Sequence, residues 1–98
     1  MIVRIVQMTF REDAVEDFKS LFDAHKELIR AVEGCTHLEL LQQEDAPNVF
    51  MTYSHWNGPE YLEAYRHSEL FKTVWSQTKV LFADKPRAWS MGRLHLLE

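Results

Sequence analysis

Five histidines, His25, His37, His55, His67 and His95, are the first residues whose chemistry invites a role. An imidazole titrates near neutral pH, so it can shuttle protons or ligate a metal. A metal needs several donors converging at set distances, which on a helix means i, i+4 pairs. No two of these histidines have that spacing, and Cys35 is the only cysteine. No metal site is expected, which leaves His25 and His55 as candidate general bases. Asp13, Glu16 and Asp17 crowd a prospective helix start, where negative charge favours the dipole, and Glu44-Asp45 reads as loop. Three scattered glycines make no phosphate-binding loop. Cys35 precedes a strand, so no helix N-terminus acidifies its thiol.

The aromatic load is more informative: three Trp, three Tyr and six Phe. Phenylalanine serves a core. Tryptophan and tyrosine carry a polar tip and recur in pockets, and an apolar pocket with a few polar groups is the usual small-molecule site. The expected pocket lies where Tyr53 or Trp56, from one strand, meets His25, Tyr65 and Trp75 from the helices.

The elements that must position these residues follow from periodicity. Ile2 to Phe10 is rich in β-branched residues and reads as a strand with no clean polar face. Ala14, Phe18, Leu21, Phe22, His25, Leu28, Ile29 and Val32 then recur at helical spacing. Asp13 and Glu16 fit a capping box at the start of this helix, and Gly34 fits a stop. Cys35 to Gln43 and Val49 to Trp56 read as a hairpin around Glu44 to Asn48. If its residue numbers sum to about 91, His37 and His55 face each other across it. Asn57 and Pro59 suit the start of a short helix carrying Tyr61, Leu62 and Tyr65. Ser68 suits the cap of another, with Leu70, Phe71, Val74, Trp75, Thr78, Leu81 and Phe82 inward. After Pro86, Arg87 to Leu97 reads as the last strand, with Trp89 and Met91 on one face and Leu94 and Leu96 on the other.

The order β-α-β-β-α-β is the split β-α-β of an α+β, ferredoxin-like fold: a four-stranded antiparallel sheet with its helices on one face. Strands apolar on both faces need a cover on the other side as well, and a second copy of the chain supplies it by two-fold symmetry. A homodimer is expected. At 98 residues there is room for one domain, residues 1–98. The net charge of −4 and the lack of a basic run exclude a nucleic-acid or anionic-membrane footprint. No apolar stretch is long enough to span a bilayer. Arg4 and Gln7 interrupt the segment that would form a signal peptide, and one cysteine needs no oxidising compartment, so a cytoplasmic location is expected.

Glu33-Gly34-Cys35, Leu38-Glu39-Leu40-Leu41, the run Val49 to Trp56 and the segment Tyr61 to Phe71 together carry a resemblance. Over nearly its whole length the chain resembles the antibiotic biosynthesis monooxygenase family of the dimeric α+β barrel superfamily. That resemblance implies sheet-to-sheet dimers with a ligand cavity between sheet and helices in each subunit. It implies, for some members, oxidation of polycyclic phenols to quinones by dioxygen with no metal, flavin or other cofactor. Trp56 matches the Trp that ends strand three in the quinone-forming branch, whereas Thr52 and Leu62 stand where that branch has Asn and Tyr. The residues required by the haem-degrading branch fall near Gln7, Tyr65 and Trp75, so haem degradation is not expected. The expected activity is cofactor-independent oxygenation of a small aromatic phenol or quinol, with Trp56, His25 and His55 catalytic and Tyr53, Tyr65, Trp75 and Thr52 binding substrate. The departures at Thr52 and Leu62 favour an alternative, a non-catalytic dimer that binds a small hydrophobic molecule. A third reading from the same superfamily is an isomerase or mutarotase using a His-Tyr pair.

Overall fold

The computed structural model describes residues 1–98. β1 (Ile2–Thr9) is followed by a 3-10 turn (Glu12–Ala14) and α1 (Val15–Arg30), then β2 (Cys35–Gln43) and β3 (Ala46–Trp56), α2 (Pro59–Arg66), α3 (Glu69–Lys79) and β4 (Arg87–Gly92). The sheet order is β2-β3-β1-β4 with every pair antiparallel, the α+β ferredoxin-like arrangement. His37 does pair with His55, as Leu38 does with Ser54.

Gly34 is the one residue of positive φ, at 87°. A Cβ there would also clash with the Tyr61 side chain, so glycine is needed for both conformation and space. Ser68 caps α3, its Oγ accepting from the Phe71 N–H at 3.1 Å.

Four local expectations are corrected. Asp13 does not cap α1; the chain enters through the 3-10 turn, and Asp13 accepts from Arg11 Nε at 3.3 Å. Gly58, not Asn57, is the N-cap of α2, without a side-chain bond. β3 begins at Ala46, so the hairpin turn is only Glu44-Asp45. A register shift between Gln42 and Gln43 accommodates Pro47, whose missing N–H cannot join a regular ladder. β4 stops at Gly92 rather than Leu97 because it is an edge strand paired with β1 alone, and Gly92 already lies opposite Ile2, where β1 starts. Leu94 and Leu97, beyond that point, are 88% and 91% exposed.

The core between sheet and helices has two centres. Met8, Phe10, Phe18 and Phe50 form one, where the Phe10 and Phe18 rings stack at 4.1 Å and Phe82 closes over Phe10 at 5.3 Å. Cys35, Trp56 and Leu62 form the other.

Candidate functional site

Side chains alternate along a strand, so only one parity reaches the helices. From β1 these are Arg4, Val6 and Met8; from β3, Thr52, Ser54 and Trp56; from β4, Ala88. Register brings them together, because Arg4 pairs with Ser54 and Val6 with Thr52. Opposite them stand Phe18, Phe22 and Ile29 of α1, Leu62, Tyr65 and Arg66 of α2, and Phe71, Val74, Trp75 and Thr78 of α3. Together they enclose a cavity of about 310 Å³, at the small end of the usual range for ligand sites. An aromatic chain forms much of its wall. Tyr65 stacks on Trp56 at 5.2 Å and meets Phe71 edge-on at 5.2 Å, and Phe71 stacks on Trp75 at 5.8 Å.

The polar groups of this wall divide into spent and free. The Trp56 indole N–H donates to Ser54 Oγ at 3.0 Å, and the ring is 1% exposed. Thr78 Oγ1 donates to the Val74 carbonyl at 2.8 Å. Thr52 and Tyr65 make no side-chain hydrogen bond within the protein, so their hydroxyls are free at the wall. Burial, with a smaller contribution from Cys35, pushes the Tyr65 phenol up to about 12. At neutral pH Tyr65 is therefore a hydrogen-bond donor and not a base. Arg4 and Arg66 supply the only charges, for no Asp, Glu or His lines the cavity.

Of the residues expected in the pocket, Trp56, Tyr65, Trp75 and Thr52 line it. Tyr53 and His55 do not. Both have the other parity on β3 and lie on the face of the sheet turned away from the helices, where the His37 ring stacks on His55 at 4.6 Å and Tyr53 meets His55 edge-on at 5.1 Å. Burial, then the Arg93 and His37 charges, lowers the His55 pKa, and Glu39 opposes them. His25 sits on α1, half-buried, with Nδ1 2.9 Å from the Leu21 carbonyl, but it is not among the wall residues. The pocket also contains residues that no aromatic or histidine search finds. Arg4 is the clearest, and its sequence signal is a charge inside the run Ile2-Val3-Arg4-Ile5-Val6. No group of three metal-capable side chains converges anywhere in the chain, and no helix is long and apolar enough to cross a membrane.

Residues 1–75 match the profile of the family described as antibiotic biosynthesis monooxygenase. No curated protein matches the chain significantly. Among solved structures it is similar to a candidate antibiotic biosynthesis monooxygenase from Nitrosomonas europaea, at 22% identity over 97% of this chain and 100% of that one, with a TM-score of 0.90. Rv0793 from Mycobacterium tuberculosis is similar at 20% identity, 99% and 98% coverage and a TM-score of 0.89. PA3566 from Pseudomonas aeruginosa follows at 20%, 96% and 94%, and 0.85. At such identities the structural likeness establishes the fold, and the profile match establishes the kinship: the chain belongs to the antibiotic biosynthesis monooxygenase family.

Proposed function

We propose that this protein is a cofactor-independent monooxygenase that oxidises a small aromatic phenol or quinol with dioxygen in the cavity between sheet and helices. The observation that carries the reading is an apolar cavity of about 310 Å³, walled by Trp56, Tyr65 and Trp75, in a chain of this family. In the overall reaction a ring C–H para or ortho to a phenol oxygen becomes a carbonyl. One oxygen atom of O2 enters the ring, the other leaves as water, and the substrate supplies all the electrons. The phenol proton passes to water and the phenolate gives one electron to O2. The phenoxyl radical and superoxide combine at that ring carbon, and the peroxide takes a proton back from water. Loss of water from the hydroperoxide breaks its C–H and O–O bonds to leave the quinone. The protein's part is to hold the ring in a dry site with hydrogen-bond donors near its oxygens. Trp56 and Trp75 serve as walls, and the Tyr65 and Thr52 hydroxyls as donors. His25 and His55 have no place in this wall, so neither is assigned as base.

The working unit in this proposal is a homodimer closed sheet to sheet. Its support is the apolar character of the open face, where Leu41, Trp89 and Met91 are 45%, 37% and 49% exposed. A buried lone thiol, Cys35, fits the reducing conditions of a cytoplasmic location. The test of the activity is oxygen uptake by pure, chelator-treated protein with anthrones, naphthols and hydroquinones. Protein-dependent uptake that falls in Trp75→Ala supports the proposal. Saturable binding of the same compounds without uptake turns the reading to the alternative, a non-catalytic binder of small hydrophobic molecules, which the spent indole N–H of Trp56 favours.

A further inference from the structure

Arg4 is out of keeping with its surroundings. It projects from the centre of the sheet into a wall in which 13 of 19 residues are hydrophobic. One N–H is used, Nη1 donating to Ser90 Oγ at 3.0 Å, and a guanidinium has five. Its neighbours across both ladders, Ser54 and Ser90, are neutral, and it takes part in no ion pair. Glu63, the carboxylate whose charge acts on Arg4, is already shared by Arg66 at 3.4 Å and His67 at 2.9 Å. Burial, and then the charge of Arg66, lowers the Arg4 pKa, with Glu63 opposing. The group nonetheless stays protonated at any physiological pH. A half-buried cation without a counter-ion is an expensive way to line an apolar pocket. The chain as a whole carries −4, yet the charged side chains of this cavity, Arg4 and Arg66, are both positive.

We propose that the cavity selects an amphipathic aromatic anion, with the flat apolar body against Trp56, Tyr65 and Trp75 and one anionic oxygen group, carboxylate or phenolate, held by Arg4. The proposal rests on the cavity being the ligand site and adds the chemistry of the ligand. Arg4 acts as the specificity determinant because its planar fork matches two oxygens of an acid and gains nothing from an ester or a hydrocarbon. Arg66, ion-paired with Glu63 at 3.4 Å, adds to the field without a fixed contact.

The test is calorimetric titration of the full chain at neutral pH with 2-naphthoate and its neutral isostere, methyl 2-naphthoate. The acid is expected to bind about tenfold more tightly than the ester, the gain of a charge-assisted hydrogen bond at a partly wet site. The ratio should fall towards one in Arg4→Gln and persist in Arg93→Gln, which removes an equal charge from the opposite face. Equal affinities of acid and ester for the wild-type protein overturn the proposal while leaving the cavity reading intact, because both ligands then bind. A ratio that survives Arg4→Gln overturns it as well. If neither ligand binds, the cavity reading fails and the proposal with it. Titrating bound 2-naphthol identifies the anion's source: a lowered naphthol pKa extends the site to phenolates, and an unchanged one beside a favoured acid limits it to carboxylates.

Discussion

The two faces of the sheet are built from the same strands and from similar residues, and they end differently. Towards the helices, Val6, Met8, Thr52, Ser54 and Trp56 meet a second layer that fills one end solidly with phenylalanine and leaves the other hollow. Away from the helices, His37, Tyr53 and His55 pack on one another and His55 meets Arg93, while Trp89 and Met91 stay largely exposed. Both faces carry tryptophan, yet Trp56 is 1% exposed with its N–H bonded, whereas Trp89 is 37% exposed. Composition does not separate a face that encloses a cavity from one that is left open. What separates them is the volume left by the facing layer and the polar groups left without a partner. The helix side has both, in the cavity and in the free hydroxyls of Thr52 and Tyr65.

The sharpest way to break this contrast is to truncate one aromatic on each side. Phe10→Ala removes a ring that is 0% exposed, packed against Phe18, Phe50 and Phe82; denaturant unfolding should show a loss of about 3–5 kcal/mol. Trp89→Ala should cost under about 1 kcal/mol in the isolated subunit but move the light-scattering mass from twice 11.6 kDa towards 11.6 kDa. Equal losses from the two variants, with no change in mass, would erase the distinction.

Titration sharpens it further. With Tyr65 buried on the helix side and pushed up to about 12, ultraviolet difference spectra should show a late tyrosine ionisation. In Tyr65→Phe that late step should vanish. A tyrosine ionising normally in its place would mean that the cavity wall is open to water.

The smallest effect belongs to the open face. The folded state lowers the His55 pKa, so between that value and the unfolded value of about 6.5 the unfolded chain binds more protons. Stability is therefore full above this window and declines as pH falls through it. Urea unfolding should register that loss in the wild-type chain, and less of it in His55→Gln. Parallel curves would show that burial and Arg93 do not act on His55 as described.

Much of the fold is legible in the sequence because each cue is local. The α1 stripe, the Ser68 cap, the Gly34 turn and the His37–His55 register rest on neighbours within a few residues or on one hairpin. The site is less legible because choosing a face is not a local matter. Thr52, Tyr53, His55 and Trp56 lie on one strand, and alternation forbids them all from one pocket. With both faces apolar, nothing within β3 says which parity meets the helices, and the structure selects the even residues. Arg4 escapes a search for aromatic and titrating residues, since its importance appears only when its partners are counted. The end of β4 is set by where β1 begins, which a reading of residues 87–97 cannot contain.

The three tryptophans allow the central claim, that the helix side of the sheet holds the ligand site, to be tested in one experiment. Each contributes one indole N–H signal to a nitrogen–proton correlation spectrum, with Trp56 and Trp75 at the cavity and Trp89 on the opposite face. On titration with 2-naphthoate the Trp56 and Trp75 signals should move together and saturate while Trp89 stays in place. Movement of Trp89 with Trp56 and Trp75 unchanged would put the ligand on the wrong face and contradict the account.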